Sequence, residues 1–189
     1  MRIITGSARG TKLLTLEGEA TRPTAERTKE AVFSIIQFDI EGRNVLDLYA
    51  GSGQLALEAL SRGAAKAVLC DSSKQAVDII RKNAERTRLI ERCSIHNCDA
   101  SQIIRRLGGE KFDLVFLDPP YALKAVPSAL AELLNNNRLK ASSLIVCETA
   151  DHSDVFCGDE NLAERFSIKK SAKYGVAHVT ILQPKEENL

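Results

Sequence analysis

Between residues 44 and 121 short apolar runs alternate with stretches of helical apolar spacing, and an aspartate stands in or just after each run. Val45-Leu46-Asp47-Leu48-Tyr49 opens the series and Ala67-Val68-Leu69-Cys70-Asp71 continues it. The weaker Ser94-Ile95-His96-Asn97 closes on Cys98-Asp99, and Phe112-Asp113-Leu114-Val115-Phe116-Leu117 runs into Asp118. Runs this short and apolar read as strands. Helices between them imply crossover connections, and therefore a parallel sheet covered on both faces. In such a sheet ligands sit beyond the carboxyl ends of the strands, which is where four aspartates fall: 47, 71, 99 and 118.

The remaining pattern fills in around this core. Helices are predicted over Gln54 to Ser61, stopped by Gly63, and over roughly 73–87, 100–107 and 124–134; Leu144–Cys147 reads as a further strand. Phe166–Lys170 and Val176–Leu182, around the turn at Tyr174-Gly175, read as a terminal hairpin that adds an antiparallel strand. Residues 150–164 are polar and carry no clear periodicity. At the other end, Ile3-Ile4 and Lys12–Leu16 flank the turn Gly6–Gly10 and predict a second hairpin. Thr24 is placed to cap a helix over about 25–38, with Ala31, Val32, Ile35 and Ile36 on its apolar stripe and Arg22, Arg27 and Lys29 off it. No linker or repeat interrupts the 189 residues, so one domain is expected: an appendage over 1–40 and a core over 41–185.

Composition excludes several classes. No apolar run approaches the roughly 18 residues of a membrane span, and the first residues lack a signal-peptide apolar core, which predicts a soluble cytoplasmic protein. The 5 cysteines are odd in number and contain no Cys-x-x-Cys pair, and no His-Glu-x-x-His spacing occurs, so neither a disulfide framework nor a metal site is expected. A net charge of +1 says little by itself. Basic residues do gather in 1–12, 81–92 and 164–174, which suits either solvated faces or a local surface for a polyanion.

Asp118-Pro119-Pro120-Tyr121 is the stretch with the most specific chemistry. Two prolines fix two φ angles and remove two donors, and the first pushes Asp118 out of the helical region. A stiff turn carrying a carboxylate, a carbonyl and an aromatic face suits a planar substrate with an amino group. The Asp118 carboxylate and the Pro119 carbonyl can accept both amine protons while Tyr121 stacks on the ring. Pulling on those protons pushes a conjugated nitrogen toward the tetrahedral geometry of a nucleophile.

The partner of that amine is read from the upstream strand ends. Gly51 and Gly53 let the backbone approach a ligand and open a helix, Asp71 is placed for the two hydroxyls of a ribose, and Asp99 for the amino group of an adenine. Gly51-x-Gly53-x-x-Ala56 formally fits a dinucleotide fingerprint. Asp47, however, would set a negative charge near a pyrophosphate, whereas it suits the cationic amino-acid end of S-adenosyl-L-methionine. A nicotinamide enzyme also has no evident use for Asp-Pro-Pro-Tyr.

These residues resemble the ordered motifs of class I S-adenosylmethionine-dependent methyltransferases acting on exocyclic amines, and over about residues 2–182 the chain is similar to the RsmD family. The narrower resemblance rests on Arg2-Ile3-Ile4, Gly6-x-x-Arg9-Gly10, Arg22-Pro23-Thr24 with Arg27, Glu58–Ala64, Leu117–Tyr121, Glu148 and Tyr174-Gly175. Ala8, Asp71 and Val176 depart from its usual residues. The resemblance implies a Rossmann-like α/β fold, with a mostly parallel seven-stranded sheet, an antiparallel C-terminal strand and a small N-terminal hairpin plus helix. It implies transfer of a methyl group from S-adenosyl-L-methionine to N2 of a guanine in 16S ribosomal RNA, with S-adenosyl-L-homocysteine as product. Asp118, Pro119, Pro120 and Tyr121 would be catalytic. Asp47, Tyr49, Ala50, Gly51, Gly53, Asp71, Ser72, Asp99, Ala100 and Asp118 would hold the cofactor. Arg9, Arg22, Thr24, Arg27 and Tyr174 would meet RNA, with no metal and no membrane involved. Two other expectations stand beside this one: a DNA adenine-N6 or cytosine-N4 methyltransferase, and a non-catalytic RNA-binding assembly factor with the same fold.

Overall fold

A computed structural model describes residues 1–16 and 23–188. Seven strands, β1 (Asn44–Asp47), β2 (Lys66–Asp71), β3 (Cys93–Asn97), β4 (Phe112–Leu117), β5 (Leu139–Thr149), β6 (Phe166–Tyr174) and β7 (Ala177–Pro184), form one sheet in the order β3-β2-β1-β4-β5-β7-β6. The first five pair in parallel, and β7 enters antiparallel between β5 and β6. The order reverses between β1 and β4, where Val45, Leu46 and Asp47 pair with Leu114, Val115 and Phe116. This is the expected α/β architecture with its switch point at the strands that carry Asp47 and Asp118.

Side-chain alternation divides the core in two. Val45, Leu69, Leu114, Phe116, Val146 and Ile181 face α1 (Pro23–Ile35), α2 (Gln54–Ser61) and α3 (Lys74–Arg86). Leu46, Cys70, Val115, Leu117, Ile145 and Leu182 face α4 (Ala100–Arg106), α5 (Val126–Asn135) and α6 (Glu160–Glu164). Among the described residues no helix is long and apolar enough to cross a membrane.

Several expectations change. The N-terminal hairpin is present but short: Arg2 bridges Lys12 in antiparallel pairing, flanked by bonds from the Ile3 amide to the Thr11 carbonyl at 3.0 Å, the Gly10 amide to the Ile3 carbonyl at 2.9 Å and the Leu13 amide to the Met1 carbonyl at 3.0 Å. The amides that would extend it are bonded to α2 instead. Ile4 and Thr5 donate to the Glu58 carboxylate at 2.7 and 3.0 Å, Ala8 donates to Ser61 Oγ, and Ser7 to the Ser61 carbonyl. Gly6 is required here: its φ is +88°, and a Cβ would stand 1.8 Å from the Ser61 carbonyl oxygen. Lys29, off the apolar stripe, is nevertheless only 2% exposed. Its Nζ donates to the Arg2 carbonyl at 2.6 Å and pairs with Glu58 Oε2 at 3.6 Å, while Arg62 Nε holds Oε1 at 2.8 Å. Burial lowers the Lys29 pKa and Glu58 opposes that shift. This cluster, and not a β-ladder, fastens the appendage to the core.

Helix α1 starts at Pro23, a residue pre-set for a first helical turn, so Thr24 lies within that turn and does not precede it. The helix stops at Ile35, leaving Phe38 beyond it and 90% exposed. Strand β5 has 11 residues, well beyond the predicted four, because the polar Lys140–Ser143 stretch is satisfied by β4: Ser143 Oγ donates to the Phe112 carbonyl and Lys140 Nζ to Asp113 Oδ1. β6 likewise runs to Tyr174 as an exposed edge whose Lys169, Lys170 and Lys173 discourage further strand pairing. The unassigned 150–164 stretch holds a 3₁₀ turn at His152–Val155 and α6, capped by Asp151 and Asp159.

Candidate active site

A cleft of about 860 Å³ lies along the carboxyl ends of β1, β2, β3 and β4. It is formed where each strand hands over to its helix. After β1 the chain turns through Gly51 to Gly53, which caps α2 with φ 79°. The Ala50 amide reaches back to the Cys70 carbonyl and the Gly51 amide to Asp71 Oδ2 at 2.9 Å. Asp71 Oδ1 accepts from the Ser73 amide at 2.8 Å. Each Asp71 oxygen thus spends one lone pair on shaping its loop and keeps one for a ligand hydroxyl. Asp99 caps α4 by accepting from the Gln102 amide at 2.8 Å.

β4 ends at Leu117 and the chain enters the proline turn. The Pro120 carbonyl accepts from the Leu123 amide at 2.9 Å in a 3₁₀ turn over Tyr121–Leu123, so the turn is closed more tightly than its two missing donors suggest. No described donor is bonded to the Pro119 carbonyl. Tyr121 is 38% exposed, and its hydroxyl donates to Glu148 Oε1 at 3.0 Å. Burial raises the Glu148 pKa, and the Tyr121 hydrogen bond opposes that shift.

The predicted residues Tyr49, Ala50, Gly51, Asp71, Ser72, Asp99, Ala100, Asp118, Pro119, Pro120 and Tyr121 all line the cleft. Asp47 and Gly53 stand behind the lining. Asp47 is 1% exposed, on the α2 side of the sheet, with Oδ2 accepting from the Ala56 amide at 3.3 Å. Burial raises its pKa to about 7 against that hydrogen bond. Arg9 and Arg27 are exposed on the appendage, away from the cleft lining, and Tyr174 packs partly buried against the core. Arg22 lies outside the described residues, and of Thr24 only the backbone is described.

The lining also contains residues that sequence reasoning missed: Leu16, Gln54, Ser73, Ser101, Ser128 and Glu132. Glu132 comes from α5 and accepts the Ser101 hydroxyl with Oε1. Its alignment with Asp99 depends on how α5 packs against α4, for which no local signal exists. Ser73, following Asp71, was legible as a helix cap. Leu16 arrives because Asn83 of α3 binds both the Leu14 amide and carbonyl, at 2.8 and 2.9 Å, and also the Ser52 carbonyl at 2.8 Å.

Around this cleft, Asp47 Oδ1, Gln54 Oε1 and Glu132 Oε2 are buried acceptors without a partner among the described residues. Unpaired buried acceptors are costly. Together with Asp71 and Asp99 they give the cleft an excess of acceptors, fitted to a ligand that brings several donors. Among the described residues no group of three or more His, Cys, Asp or Glu is arranged to hold a metal ion.

A Rossmann-like sheet of this order with an acidic cleft at its switch point defines a class I methyltransferase. The chain belongs to the family described as Conserved hypothetical protein 95, whose model matches residues 1–183. It is 36% identical over 185 residues to "Ribosomal RNA small subunit methyltransferase D" of Haemophilus influenzae, covering 97% of this chain and 93% of that one. A solved structure titled "Putative methyltransferase yhhF from Escherichia coli" superposes with a TM-score of 0.83 at 28% identity, over 98% of each chain. A more distant one, titled as a "putative methyltransferase complexed with SAH", has a TM-score of 0.70 at 14% identity, over 82% of this chain and 49% of that one, and bears on the fold alone.

Proposed function

We propose that this methyltransferase uses S-adenosyl-L-methionine to methylate the exocyclic N2 amine of a guanine in the ribosomal RNA of the small subunit, in the cytoplasm. The observation that carries this reading is the placement of Asp118-Pro119-Pro120-Tyr121 at the mouth of a cleft whose neighbouring strand ends hold Asp71 and Asp99. The relative of Haemophilus influenzae, matched over nearly its whole length, supports the choice of RNA.

The residues present fit the cofactor. Asp71 keeps acceptor capacity for the ribose hydroxyls. Asp99 and the buried Glu132 Oε2 flank the place of an adenine amine. Asp47 Oδ1 and Gln54 Oε1 provide acceptors near the loop for an ammonium. When bound, S-adenosyl-L-methionine supplies an electrophilic methyl group on a sulfonium centre. The protein supplies position and electrostatics. Tyr121 stacks on a base turned out of its helix, and Asp118 with the Pro119 carbonyl accepts the amine protons and aligns the nitrogen lone pair. With the methyl donor bound, the Asp118 carboxylate would take up the proton the nitrogen loses on methylation and pass it to solvent. Exposed Arg9 and Arg27 meet RNA phosphates.

The test is incubation with labelled S-adenosyl-L-methionine and unmodified small subunits, followed by digestion of the RNA and identification and mapping of the methylated nucleoside. N2-methylguanine is expected. N6-methyladenine, a methylated cytosine, or no product overturns the reading.

A further inference from the structure

The Asp-Pro-Pro-Tyr turn asks only for an amine on a planar ring, and nothing in it distinguishes guanine from adenine or cytosine. We infer that Glu148, at the end of β5, makes that distinction by accepting the ring N1–H of the target guanine beside the amine held by Asp118. The inference rests on the reading of guanine N2 as the methylated atom.

Three observations place Glu148 for this task. The β4–β5 register pairs Leu117 with Cys147, so Asp118, the first residue beyond β4, lies beside Glu148, which stays in the sheet opposite Val179 of β7. Glu148 Oε1 is anchored by the Tyr121 hydroxyl at 3.0 Å, which ties the carboxylate to the ring on which the base stacks. A shallow recess next to the main cleft is lined by Glu148 together with Pro119, Tyr121 and Lys124. The nearby cation does not neutralise Glu148, because Lys124 Nζ pairs with Asp154 Oδ1 at 3.3 Å. Among the described residues the Tyr121 hydroxyl is the one hydrogen-bond donor to the Glu148 side chain, which leaves most of its lone-pair positions for a ligand.

The chemistry of the bases selects among ligands for such a group. The adenine amine has a ring acceptor, N1, as its Watson–Crick-edge neighbour, and the cytosine amine has N3. Only the guanine amine is flanked there by a ring N–H. A row of acceptors running from Asp118 to Glu148 therefore complements N2–H and N1–H of guanine together, and sets a carboxylate against a lone pair in the other two. Discrimination by leaving such a group unpaired or repelled is larger than a pocket can achieve by shape.

The probe is 2-aminopurine, which keeps the N2 amine, has an acceptor in place of the N1–H and lacks the 6-oxo group, so the Glu148 variants are what assign the difference to N1. It is placed at the mapped guanine position in reconstituted small subunits, and kcat/KM is compared with that for guanine. The wild-type enzyme is expected to prefer guanine by on the order of 10- to 100-fold. Glu148→Gln and Glu148→Ala are both made, with calorimetric cofactor binding as the check on folding, and each should lose most of that preference. Tyr121→Phe separates selection from anchoring: it removes the hydroxyl but leaves the carboxylate, so it keeps part of the preference that Glu148→Ala loses. The inference is overturned if wild type methylates 2-aminopurine as well as guanine, if the folded Glu148 variants keep the wild-type ratio, or if Tyr121→Phe changes the ratio as much as they do. Failure of wild type to methylate guanine at all is a separate result, read in the mapping experiment, and it overturns the functional proposal itself.

Discussion

Asp47 accepts the Ala56 amide on Oδ2 at 3.3 Å while its Oδ1, equally buried, has no partner among the described residues. A helix N-terminus favours a carboxylate, yet desolvation is the larger effect and raises the pKa from 3.8 to about 7. The native state therefore holds a proton that the unfolded chain gives up. The stability this provides is fully present below about pH 4 and is lost as pH rises to about 7. At 1.36 kcal/mol per pKa unit the loss is up to roughly 4 kcal/mol. Asp47→Asn should match wild type in urea denaturation near pH 4 and be more stable at pH 8, while binding the cofactor more weakly. A stability difference that does not change with pH would remove Asp47 as its cause.

Asp118→Ala removes the carboxylate from the catalytic turn but leaves the Asp71 and Asp99 loops in place. Single-turnover rates should fall by at least about 10²-fold, with cofactor affinity by calorimetry close to wild type. A variant that turns over at the wild-type rate would end the catalytic assignment.

Arg9 and Arg27 are exposed cations on the appendage. Each phosphate contact to a single strand contributes about 0.7 to the slope of log K against log salt. Replacing both with alanine should flatten the slope for substrate RNA by up to about 1.4 and leave cofactor affinity unchanged. An unaltered slope would move the RNA surface elsewhere.

Glu58 takes two backbone amides, Arg62 and Lys29 at once. Glu58→Ala leaves the buried Lys29 without its carboxylate and removes one partner of the partly exposed Arg62, at a cost of roughly 3–5 kcal/mol. Denaturant melts should show that loss, and limited proteolysis should show earlier cutting within residues 1–16. Cutting at the wild-type rate would mean that other contacts hold the segment.

What could be read in the chain beforehand depended on the range of the interactions involved. Asp71 and Asp99 belong to local units, a strand end followed by a cap, and a local pattern located them. Lys29 was placed off the apolar stripe, and the stripe, which reports only which residues are apolar, cannot report that a glutamate 29 residues away will draw this lysine inward. Glu132 entered the site through α4–α5 packing, and Glu148 acquired its relation to Tyr121 through strand register. Neither leaves a trace in a single element. The N-terminal hairpin, a local pairing around the Gly6–Gly10 turn, was legible and forms, whereas the docking of its turn-side amides on a helix end was not.

The insertion of β7 between β5 and β6 has a consequence for the order in which the molecule can be made. The ribosome releases β6 before β7, yet β6 has no place in the sheet until β7 pairs with β5. Until then the outer edge of β5, from Ile145 to Thr149, is an open, largely apolar template for other strands. The nascent chain thus passes through an interval of exposure that closes only when β7 emerges, the stage at which the wall beneath Glu148 is completed.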